Sequence, residues 1–149
     1  MKTKRTQRLR IFLGLSLFVT AGLAAPLFAQ SKKTLVAKIP FEFVVGDRTL
    51  PASEYIVEHV FWGSSAIRIQ TEDGPGPYGL TTSMLVQRPV HEAEGKLIFH
   101  RYGDTYFLSQ VWLPTRITGQ QVPKPKRERE LAQQVNSRPQ VASITARAR

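Results

Sequence analysis

From Leu35 to Val45 apolar and polar residues alternate: Leu35, Ala37, Ile39, Phe41, Phe43 and Val45 share one face, while Lys38, Pro40 and Glu42 take the other. A period of two predicts a β-strand with one side buried. Pro40 has no N–H to give a ladder, which places it at an edge or a bulge. Gly46-Asp47 then supplies a turn. Tyr55 to Val60 is rich in β-branched residues and predicts a second strand, and Ala66 to Gln70 a third with Ile67 and Ile69 inward. Asp73-Gly74-Pro75-Gly76-Pro77 is a loop by its chemistry, and Leu80 to Gln87 is the fourth predicted strand.

The sharpest local signal is the pair Lys96–Tyr102 and Thr105–Leu113, joined by Gly103-Asp104. A two-residue connection that opens with glycine predicts a tight hairpin, because its first position must adopt a positive φ. This sets Arg101 opposite Tyr106, His100 opposite Phe107, Phe99 opposite Leu108 and Leu97 opposite Gln110. One face then carries Leu97, Phe99, Leu108 and Trp112, and the other Ile98, His100, Tyr102, Phe107 and Val111. Both are largely apolar, whereas a hairpin wetted on one side would keep that side polar. The expected fold is all-β: a small antiparallel sandwich or a partly closed barrel.

The pattern stops after Leu113-Pro114. Gln120 to Pro125 reads as an extended linker, Arg127 to Val135 as a short amphipathic helix with Leu131 and Val135 on one side, and the remainder as a flexible basic tail. At the other end, Lys2, Lys4, Arg5, Arg8 and Arg10 precede an apolar run from Ile11 to Phe28 that closes at Ala29. A basic start, an apolar stretch and a small residue make a secretory signal helix, cut after Ala29 or kept as an anchor. The expected organisation is a signal over 1–29, a β domain over 30–116 and a linker, short helix and tail over 117–149. The expected location is periplasmic or secreted.

Composition changes this picture in two places. The chain has 149 residues, a formal charge of +10 and no cysteine, so neither a disulfide nor a lipid-bearing cysteine can contribute. Between Thr34 and Arg116, seven Lys/Arg face nine Asp/Glu. The excess positive charge therefore lies in the signal and the tail, which argues against a nucleic-acid-binding core. The tail charges suit weak contact with an anionic surface, although the alternation of Arg127-Glu128-Arg129-Glu130 reads more simply as a solvated, self-compensating segment.

Ile39-Pro40-Phe41-Glu42-Phe43 with Gly46, Leu50-Pro51-Ala52 with Tyr55 and Val57, and Leu97 to Asp104 with Tyr106-Phe107-Leu108 and Trp112 resemble a group of small secreted proteins of unassigned function from acidobacteria-like soil bacteria. Ser53 stands where that group is expected to have glycine. The resemblance implies an all-β extracytoplasmic domain and carries over no catalytic residue.

Candidate chemistry is sparse. His91-Glu92-Ala93-Glu94 reads as a solvated turn, and neither a metal nor a cofactor is expected. His100 shares a face with Ser109, a base beside a nucleophile, but no carboxylate is evidently placed to orient it and no nucleophile elbow frames the serine. The leading expectation is a non-catalytic domain that binds or scaffolds an envelope component or another protein, with Phe61, Trp62, His100, Tyr102 and Trp112 as ligand-contacting candidates. A small hydrolase using His100 and Ser109 is the alternative.

Overall fold

The computed structural model describes residues 34–60, 64–72, 76–88, 93–135 and 138–149. The expected signal over 1–29, together with Phe61, Trp62, His91 and Glu92, lies outside the described residues. Eleven strands form one sheet that curls into a nearly closed barrel, with a single helix, α1 (Lys126–Val135), among the described residues. The strand path runs β3 (Arg48–Leu50), β2 (Phe43–Val45), β9 (Thr105–Trp112), β8 (Gly95–Tyr102), β11 (Gln140–Ala148), β1 (Leu35–Ile39), β4 (Ser53–His59), β5 (Ala66–Thr71) and β6 (Tyr78–Thr82). Beyond the end of β9 lie β10 (Thr118–Gln121) and then β7 (Met84–Gln87). The all-β expectation is met, and of its two architectures the barrel is the one observed.

The predicted strand from Leu35 to Val45 keeps its inward face but breaks at Pro40. β1 pairs with β4 and β11, whereas β2 pairs with β3 and, in parallel, with β9. The missing N–H at Pro40 ends the first ladder, and the chain turns a corner into the other half of the sheet. Leu35, Ala37, Ile39, Phe43 and Val45 all enter the core, where Phe99 meets the edges of Phe41 and Phe43 at centroid distances of 5.2 and 5.5 Å. Tyr55, Leu97, Leu108 and Val57 fill the same interior. It is a packed core. At the closing seam β3 lies against β6, and the Arg48 guanidinium sits 4.8 Å from the centre of the Tyr78 ring.

In the β8–β9 hairpin, Gly103 has φ +58°, as the two-residue connection requires. The pairs Arg101/Tyr106, His100/Phe107 and Phe99/Leu108 form as expected. The register then slips: Ile98 pairs with Gln110 and Leu97 with Val111. β9 thus carries one extra residue, Ser109, as a β-bulge. This corrects the predicted faces, since Val111 turns into the core and Trp112 leaves it.

The expected flexible tail is also corrected. The helix forms where predicted, but Thr118–Gln121 is a strand and Gln140–Ala148 is a nine-residue strand seated between β8 and β1. Its inward positions Ala142, Ile144 and Ala146 are small or single apolar residues, too few to fold alone and sufficient beside Phe99 and Leu97. Truncation after Arg138 would leave β8 and β1 with bare edges and uncover the core. The truncated chain is expected to lose cooperative thermal unfolding by circular dichroism, and a full transition at the parent temperature would contradict this topology.

Candidate functional site

The most chemically loaded cluster lies beside the bulge in β9. Ser109 follows Phe107, the partner of His100, by two residues, so ordinary alternation places it on the same outer face, and the extra residue then turns Val111 back into the core. Ser109 Oγ lies 3.1 Å from His100 Nε2, and His100 Nδ1 lies 2.7 Å from Glu128 Oε1 on α1. With the carboxylate accepting from Nδ1–H, the Nε2 lone pair faces the serine hydroxyl, which donates to it. The Tyr102 hydroxyl also points at Glu128 Oε1, at 3.5 Å. Burial, then the Glu128 charge and hydrogen bond, push the Tyr102 phenol above its ordinary value and hold it protonated.

This arrangement is enclosed. Glu128 is 1 % exposed, Ser109 4 % and the His100 side chain 19 %. The helix covers it from one side, with Leu131 and Ala132 against Val44, Tyr102 and Phe107. The linker closes another part, since Val122 N–H donates to Ser109 C=O at 2.7 Å. The pairing of His100 with Ser109 is visible in the sequence, whereas Glu128 is hidden there in a charge alternation that reads as solvated. The available signal was its spacing: Glu128, Leu131 and Ala132 fall at i, i+3 and i+4, so the carboxylate occupies an inward position of the helix.

Of the other candidates, Trp112 is buried rather than offered to a ligand. Its Nε1–H donates to Gln110 Oε1 at 2.9 Å, and Arg88 stacks 4.4 Å from a ring centre. Gly119 lies so close on β10 that any Cβ there would fall inside the indole. Tyr102 is likewise buried. Arg101 packs on Tyr106 at 5.3 Å, and Tyr106 in turn stacks on Phe41 at 3.9 Å. Among the described residues no three His, Cys, Asp or Glu side chains converge into a metal cage. Three basic residues of the last segments have partners on the barrel: Arg147 meets Glu54 at 3.3 Å, Arg149 meets Glu72 at 2.8 Å, and Arg127 donates to Thr49 at 3.3 Å.

Comparison with protein-family models, curated proteins and solved structures finds no match for this chain.

Two outcomes follow from this geometry. A double-mutant cycle on His100→Ala and Glu128→Ala, read by urea unfolding, should give a coupling of about 1–3 kcal/mol, because one partner buried without the other is left uncompensated. Additive losses would mean the pair does not interact. Gly119→Ala should cost about 1–3 kcal/mol in the same assay by overpacking against Trp112.

Proposed function

We propose that this chain is an exported, non-catalytic β-barrel module that binds or scaffolds a component of the bacterial envelope through its outer surface. The observation that supports this reading is the contrast between interior and exterior. The barrel is filled by its own side chains, while Tyr78, Leu80, Met84, Leu85 and Ile117 stand 40–65 % exposed along β6, β7 and the approach to β10. Large apolar side chains gathered on neighbouring edge segments mark interaction surfaces more often than they mark plain solvation. Within the described residues β7 pairs with β10 alone, so its far edge also offers free backbone groups. The basic, apolar and small-residue order over 1–29 supports export.

Leu80→Asp with Leu85→Asp tests this in the native host. The variant should keep the parent circular-dichroism spectrum and move from the envelope fraction to the soluble one, with the parent beginning at Gln30 on N-terminal sequencing. Unchanged fractionation of the folded variant would overturn the binding surface, and an intact leader on a cytosolic product would overturn export.

A second reading, a small hydrolase, is favoured specifically by the Glu128–His100–Ser109 alignment. Ser109 Oγ would attack an ester carbonyl as its proton passes to His100 Nε2. His100 would then protonate the departing alcohol, and water would release the acyl group by the same route. Turnover of a p-nitrophenyl ester that is lost in folded His100→Ala and Ser109→Ala would support it. Equal rates in parent and variants would remove it.

A further inference from the structure

Helix α1 reads Lys-Arg-Glu-Arg-Glu-Leu-Ala-Gln-Gln-Val and is polar nearly everywhere. Ten residues of this composition do not hold a helix in water by themselves, so the barrel must hold it. Leu131 and Ala132 are only partly buried against Val44, Tyr102 and Phe107, and Val135 at the end of the same stripe is 48 % exposed. The flank is open. A cleft of about 240 Å³, lined by Val44, Gly46, Asp47, Lys126, Arg127 and Glu130, separates the helix from the β2–β3 turn. Lys126 pairs with Glu130 inside the helix, and Arg127 reaches Thr49 at the surface.

One strong attachment remains. The first inward position, where an amphipathic helix normally places an apolar side chain, is Glu128, fully buried and bonded to His100 at 2.7 Å. Such a contact is worth much when complete and becomes costly once its partner leaves, so it favours two discrete positions over gradual loosening. The linker Val122-Pro123-Lys124-Pro125 enters the helix with two residues that cannot join a ladder, which lets the helix leave without disturbing β10.

We propose that α1 is a lid latched by Glu128, and that its release uncovers His100, Tyr102, Phe107 and Ser109 as a single aromatic and polar face on an otherwise intact barrel. This goes beyond both functional readings, since a latched lid would control access to that face whether the face binds or reacts. It also explains why two ligand candidates named from sequence, His100 and Tyr102, lie under cover.

Hydrogen exchange of the purified full mature chain, read peptide by peptide by mass spectrometry, tests the proposal without a ligand. In the parent, amides of 126–135 should exchange through an opening that responds weakly to low urea, ahead of those in β8, β9 and β11. Glu128→Gln and Glu128→Ala should each speed the helix amides, the alanine variant by about 100-fold, while barrel peptides change little. Leu131→Ala, which leaves the latch in place, should speed them less. The proposal fails if helix and barrel lose protection together, if the parent helix exchanges only by global unfolding, or if the Glu128 variants leave helix exchange unchanged.

Discussion

The structure depends on β11 lying between β8 and β1. Without that strand the hydrogen-bonded sheet divides into two groups that meet at the Pro40 corner and along the β3–β6 seam, each with an open edge and half of a core. With it, Ala142 sits across from Phe99, Ile144 across from Leu97 and Ala148 across from Leu35, and the apolar faces of both groups turn toward one interior. In a chain with no cysteine, closure rests on backbone pairing and burial alone. The last residues are therefore structural, and their arginines pair with Glu54 on β4 and with Glu72 just beyond β5.

Closure from the C-terminus also explains the helix. To carry the chain from β10 to β11, the segment between them must pass over the outer face of β8 and β9, which is apolar at Phe107 and Tyr102. An amphipathic stretch with two or three inward residues suffices to cover that face. What departs from simple covering is the carboxylate at the first of those positions and the imidazole and hydroxyl that receive it. Alternation along β9 brings the hydroxyl there, two residues from Phe107, and the irregularity beside it turns Val111 back into the core.

Much of this was legible from pattern. The inward face of β1 and β2, the β8–β9 hairpin, its tight connection and three of its cross-strand pairs follow from alternation and from one glycine. The bulge was not legible, because Leu108-Ser109-Gln110-Val111 is compatible with regular alternation in either register. β11 was missed because strand assignment weighed apolar content, and a strand placed between two aromatic-rich neighbours can bury little more than Ala142, Ile144 and Ala146. Glu128 was missed because charge alternation along Arg127-Glu128-Arg129-Glu130 suggests solvent, whereas the helical spacing of Glu128 with Leu131 and Ala132 assigns it inward. In each case a long-range partner decided what the local pattern left open.

The central claim is that the C-terminal segment completes the barrel, and the most direct measurement is a nuclear Overhauser spectrum of residues 30–149. The account predicts cross-strand proton contacts joining Ala142 to Phe99 and Arg147 to Val36 in the same sample. Random-coil shifts with no such contacts from Gln140 to Ala148 would contradict it.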